Sequence, residues 1–185
     1  MFMENDIVIQ QAQEEDGVKI TELLYETWLS TYPNESLGIT KEWIEEKFAN
    51  RYSPEEQKRR SDQIKSQTET NKVFVAKEGK RVVGVCRFVQ EEDRNQLRMI
   101  YVHPEYQGLG IGYRLWKVRK LVFDAHKKTL VCVASYNEKA ITFYKKLGFR
   151  ENDVKFVDDR LSHNGVSIPE IELEMSEEKE ILSFS

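Results

Sequence analysis

Two cysteines in 185 residues, Cys86 and Cys132, are too few to staple a disulfide scaffold. Each lies in an apolar run of strand character, with no histidine or helix start beside it, so both are expected to be reduced core residues rather than nucleophilic thiols. Three scattered histidines and no Cys/His spacing exclude a zinc motif, and no metal is expected. No apolar run approaches the roughly 20 residues of a membrane span. Residues 1–16 are acidic without an apolar core, so neither a membrane partner nor a signal peptide is expected, and a cytoplasmic location is. Net charge is −4 with no dense basic stripe, which excludes nucleic acid as the expected partner. The run Lys58-Arg59-Arg60 sits among acids and reads as a solvated helix face. Internal repeats and long linkers are absent, so one domain is expected over residues 1–175, followed by an acidic tail at 176–185.

What is present suits a globular chain: 39% apolar and 32% charged residues. Ile7 to Ile9 form a short strand, Asp16 is a candidate N-cap, and Ile20, Leu23, Leu24 and Trp28 trace one helical face. Thr31-Tyr32-Pro33-Asn34 ends that helix. Thr40 can cap a second helix bearing Trp43, Ile44 and Phe48, and Pro54 opens a third that runs towards Gln67, very polar and expected to be exposed. A hairpin follows, Val73–Ala76 with Val82–Val89, in which Gly84 marks a bulge or a close backbone approach. Further strands are expected over Leu97–Val102, Leu130–Ala134, Val154–Val157 and Ile168–Met175. Helices are expected from Gly112 to about Ala125 and from Asn137 to Leu147. This order argues for an α/β sandwich around a mixed sheet.

The run Gln107-Gly108-Leu109-Gly110-Ile111-Gly112 lies between a strand and a helix. A glycine-rich turn there lets main-chain amides converge, and the helix start adds about half a positive charge, which makes a phosphate site. A P-loop would need Lys-Ser/Thr after the last glycine, where Tyr113 and Arg114 stand; a dinucleotide fingerprint would need Gly or Ala in place of Tyr113. Gln/Arg-x-x-Gly-x-Gly/Ala fits without a mismatch. A second segment, Asn137 to Phe149, reads Asn-x-x-Ala-x-x-Phe-Tyr-x-x-x-Gly-Phe; Ala140, Phe143, Tyr144 and Leu147 form its apolar stripe, and Gly148 stops the helix.

These two motifs, in this order, resemble the GCN5-related N-acetyltransferases (GNAT). The resemblance covers residues 70–150 well, the first 69 residues in element order only, and the last 35 weakly. It implies a three-layer α/β/α sandwich around a mixed, mostly antiparallel sheet whose fourth and fifth strands splay apart. It also implies acetyl-CoA as co-substrate, gripped by Gln107, Gly108, Leu109, Gly110, Ile111, Gly112 and Tyr113. Main chain of Ile100, Tyr101 and Val102 would hold the pantetheine arm, with an amide of Tyr101 or Ile100 at the thioester oxygen, and Asn137 and Lys146 match further cofactor contacts. Tyr144 is the implied general acid, since a phenol of pKa near 10 stays protonated at neutral pH.

The base is open. Many relatives carry a glutamate near where this chain has Gln96, and Glu91, Glu92, Asp93, Asp158 and Asp159 are the nearby carboxylates. Trp28, Tyr32 and Phe88 are expected to line the acceptor site. The acceptor is expected to be a small-molecule primary amine, polyamine-like or amino-compound-like, attacking directly in a ternary complex. A peptide or protein N-terminus, or a non-catalytic acyl-CoA-binding module, is the alternative. Dimers are common among such proteins, which admits a homodimer.

Overall fold

The computed structural model describes residues 7–176. The acidic tail lies, past Ser176, outside the described residues. Seven strands form one sheet in the order β1-β2-β3-β4-β5-β7-β6: β1 Ile7–Gln11, β2 Asn71–Glu78, β3 Arg81–Gln90, β4 Asn95–Val102, β5 Thr129–Ala134, β6 Arg150–His163 and β7 Val166–Met175. Every pairing is antiparallel except β4 with β5, which are parallel only from Asn95–Leu97 to Thr129–Val131. Beyond Leu97 and Val131 the two strands no longer pair, so the sheet opens into a V.

Buried Asn95 closes the apex. Its Nδ2 donates to the carbonyls of Asp124 (2.7 Å) and Lys127 (3.2 Å), and its Oδ1 accepts from Asp124 N–H (3.1 Å), tying the turn before β5 to β4.

Helices cover both faces. On one face α4 (Ile111–Lys117) and α5 (Glu138–Lys146) pack over Val83, Cys86, Phe88, Leu97, Val131 and Leu173. On the other, α1 (Gly17–Thr31) and α2 (Lys41–Lys47) pack over Val73, Val75, Val85 and Ile168, with Ile64 of α3 (Pro54–Lys65). This is the layered arrangement and strand splay expected above. Gly84 serves both its suggested roles. The register slips beside its partner Ala76, and a Cβ at Gly84 would meet Leu115 of α4 at 3.0 Å.

Several local expectations change. Asp16 precedes α1 but makes no capping bond to it. Its carboxylate is buried, accepts from Gln13 N–H (3.0 Å) and pairs with Lys77 Nζ at 2.7 Å, because a short turn over Glu14–Asp16 turns it towards β2. The helix expected to reach Ala125 ends at Lys117 and tightens into a 3-10 turn over Val118–Leu121. Tertiary contacts override its periodicity: Phe123 swings back edge-on to Phe88, and Asn95 captures Asp124. The polar α3 is docked rather than simply exposed. Ser53 caps it, Ile64 enters the core, and Ser61 and Lys65 bind Glu14 at 2.8 and 2.7 Å.

Candidate active site

The open end of the V meets the glycine loop. Gly108 and Gly110 adopt left-handed φ of 83° and 75°, a region L side chains rarely occupy, and a Cβ at either would face open space. The loop thus leaves its main chain bare to solvent at these two positions. In α4 the first helical bond runs from Arg114 N–H to Gly110 C=O (3.0 Å), so the amides of Ile111, Gly112 and Tyr113 have no partner within the helix. Gly112 is glycine for a different reason: a Cβ would press on the Phe143 ring at 3.3 Å, and α5 packs there. Leu109 and Tyr113 are exposed on the rim, and Ile111 is buried beneath. Converging free amides on a surface that only glycine leaves bare suit a diphosphate.

Gln107 braces this loop. Its Nε2 donates to Val102 C=O at 3.0 Å, and its Oε1 accepts from Lys139 Nζ. The ladder sets which amides of β4 face the cleft. His103 N–H donates to Val83 C=O at 2.9 Å. Antiparallel bonding alternates, so Tyr101, paired with Val85, turns its amide to β3, while main chain of Ile100 and Val102 faces the V. Of the two amides considered above, Ile100's is the one in the cleft.

Asn137 caps α5 by accepting from Ala140 N–H (3.1 Å) and also borders the cleft. Lys146 is exposed in the last turn of α5.

A cavity of about 560 Å³ joins the V to the face covered by α1, α2 and α3. Tyr144, Tyr101, Tyr32 and Trp28 border it. Tyr32 and Tyr101 share a 2.8 Å hydroxyl–hydroxyl hydrogen bond, and Trp28 packs edge-on to Tyr32 at 4.7 Å between ring centres. Trp28 therefore belongs to the core and to the cavity wall at once. Burial first, then the negative charge of neighbouring groups including Glu170, pushes the Tyr144 hydroxyl far above the usual phenol range. Tyr32 and Tyr101 are raised too, by burial foremost, and Tyr136, which donates to Tyr32 C=O at 2.9 Å, is pushed up to about 12 by burial. These hydroxyls stay protonated at any physiological pH.

Phe88 is corrected. It is fully buried on the opposite face of β3, against Phe74, Trp116 and Phe123, and does not border the cavity. The bulge between Arg87 and Phe88 helps set which side chain faces which layer, and it presents Arg87 to the cavity instead.

Among the carboxylates considered for the base, Glu91 is committed to Arg94 and Arg98 at 2.8 and 2.7 Å. The side chains of Asp158 and Asp159 lie outside the described residues. The sequence reading missed Glu170, which is buried, borders the cavity, and puts its charge on Tyr32, Tyr101 and Tyr144. Its signal was present: it sits two residues from buried Ile168 on a strand, and so on the same face. Neither cysteine forms a disulfide among the described residues. Cys86 is buried, which drives its thiol pKa up, while half-buried Cys132 borders the cavity near Tyr144.

Residues 69–151 match the family model of the acetyltransferase (GNAT) domain. Over these residues the chain carries a GNAT acetyltransferase domain, and it is an acetyl-CoA-dependent N-acetyltransferase. Solved structures share the fold at low identity. The PaiA N-acetyltransferase of Thermoplasma acidophilum, in complex with coenzyme A, is 21% identical with a TM-score of 0.66, over 92% of this chain and 99% of that one. The ribosomal-protein-S18-alanine N-acetyltransferase of Escherichia coli is 20% identical (TM-score 0.60, 97% and 100% covered). YncA, a putative acetyltransferase of Salmonella typhimurium with acetyl-CoA, is 20% identical (TM-score 0.61, 96% and 97% covered). No curated protein matches the sequence of this GNAT enzyme. Among its described residues no cluster of His, Cys, Asp and Glu could hold a metal ion, and no helix is long and apolar enough to cross a membrane.

Proposed function

We propose that this acetyltransferase acts on the primary amine of a small molecule, which attacks the thioester directly while both substrates are bound. The observation that carries this reading is the single cavity shared by the cleft residues Asn137 and Tyr144 and the acceptor-face residues Trp28 and Tyr32. Donor and acceptor can meet there without a relay. Its volume of about 560 Å³ is that of a small-molecule site. The end of α1 and the docked α3 border it on one side, and Leu161 of β6 on the other, which favours a compact acceptor over an extended peptide.

Acetyl-CoA supplies an activated acyl carbon, and the protein's residues do the rest. Main-chain amides of residues 111–113 grip the diphosphate. The Ile100 amide is placed to donate to the carbonyl oxygen as charge develops. Glu170 is the candidate base, directly or through a water, replacing the glutamate that Gln96 lacks on β4. Tyr144 holds a proton at neutral pH and is the candidate to deliver it to the departing sulfur.

The test is a screen of amine acceptors with released thiol as the readout. Turnover with at least one compact amine is expected. Binding of acetyl-CoA with thiol release that no amine accelerates would replace this reading with a non-catalytic acyl-CoA module, and turnover only with peptide N-termini would replace the acceptor class.

A further inference from the structure

The chain carries a net charge of −4, yet among the described residues the cavity wall holds six cationic side chains, Lys47, Arg51, Arg59, Arg60, Arg87 and Arg98, against two carboxylates, Glu56 and Glu170. Glu56 is taken up by the arginines of its own helix, Arg59 at 2.5 Å and Arg60 at 3.4 Å. Glu170 lies with the tyrosines near the V. Arg59 and Arg60 descend from α3, the stretch that read as a solvated face, towards Arg87 and Arg98 on the adjacent strands β3 and β4.

Arg59 is mostly exposed, but Arg60 is built in rather than draped over the surface. The Arg60 stem packs against Gly17 of α1, where even a Cβ would lie 3.3 Å from it, and its side chain is only 13% exposed. Arg60 donates to Gln63 Oε1 at 3.1 Å and reaches Glu56 only at 3.4 Å, because Glu56 is held at 2.5 Å by Arg59. The Nε of Arg60 is buried with no hydrogen-bond partner, and so is that of Arg51. Arg87 is aimed by Asn71, which accepts from its Nε at 3.0 Å, and Arg98 by Glu91 at 2.7 Å. A buried guanidinium with a shared counter-ion is costly unless something else completes its hydrogen bonds. Arg60 bears that cost: burial, then repulsion from Arg59, disfavours its charged form, with Arg87 adding to the repulsion.

We propose that the acceptor is an amine that also carries an anionic oxygen group, a carboxylate or a phosphate, which docks on Arg60 and Arg87 while the amine lies at the Tyr144–Glu170 end. The inference rests on the acetyltransferase reading above. A polyamine, wholly cationic, is repelled by this wall.

The experiment compares matched acceptors by thiol release: an ω-amino carboxylate, an ω-aminoalkyl phosphate, the alkylamine of equal length, and spermidine. The wild-type enzyme is expected to prefer one of the two anionic amines over the alkylamine by about ten- to hundred-fold in kcat/KM, and which of them wins identifies the anion. Arg60→Gln and, independently, Arg87→Gln are expected to shrink that preference about tenfold or more, mainly through KM, while acetyl-CoA affinity by calorimetry stays within about twofold. If the alkylamine or spermidine is the better substrate of the wild type, or if neither variant alters the preference, the proposal is overturned with the acetyltransferase reading intact. If no amine is acetylated, that reading falls and this one with it. The wild-type comparison needs no variant to fold.

Discussion

The two sides of the V are made in different ways. The donor side is contiguous: six residues of loop, the first turn of α4 and the α5 motif lie within residues 107–149, and the groups they present are largely main chain. The acceptor side is assembled from α1, α2, α3, β3, β4 and β7, spread from Thr21 to Glu170, and it presents side chains. A diphosphate common to every reaction can be held by backbone. An acceptor peculiar to one enzyme needs side chains, and these can come from anywhere the fold brings together. That contrast explains why the donor was readable from motifs while the acceptor's chemistry was not.

Substitutions can break or sharpen the contrast. The largest effect on stability is expected at Phe88, which belongs to the donor-face core. Phe88→Ala should cost about 3–5 kcal/mol in denaturant unfolding without discriminating among acceptors; a change in acceptor KM at undiminished stability would return Phe88 to the acceptor wall. Tyr144 stands where the two sides join. Tyr144→Phe is expected to lower kcat by about 100-fold or more with little change in acetyl-CoA affinity, and an unaltered kcat would remove it from the reaction. On the donor side alone, Gly110→Ala must hold a Cβ at φ 75°, which should cost about 1–2 kcal/mol and weaken acetyl-CoA binding in calorimetry while relative acceptor preference is kept.

The smallest effect is alkaline. The Tyr144 hydroxyl is raised in the folded state above its unfolded value near 10. The unfolded chain therefore releases a proton that the folded one keeps, and stability, undiminished below pH 10, falls as pH rises beyond it. At pH 10 the loss is about 0.4 kcal/mol per such tyrosine, growing to about 1.4 kcal/mol per further pH unit, and denaturant midpoints against pH would show it.

Reading along the chain located most elements because their causes are local. Thr40 does cap α2, accepting from Trp43 N–H at 3.2 Å, and Asn137 caps α5. The errors fall where a distant group outcompetes a local preference. Asp16 leaves its helix for Lys77, α4 stops early because Phe123 and Asp124 are held by Phe88 and Asn95, and Phe88 and Arg87 take their faces beside a bulge between β3 and β4.

The sequence by itself determined the bare main chain of the glycine loop. Whether a residue can enter a left-handed turn depends on its own Cβ, and helical amides free at a first turn depend only on the residues beside them. The tertiary structure alone decided the electrostatics of the acceptor cavity. Charge acts through space and through burial, so Arg60 is one more surface cation along the chain until α3 lies across α1, and Glu170 is one acid among many until β7 sets it beside three tyrosines.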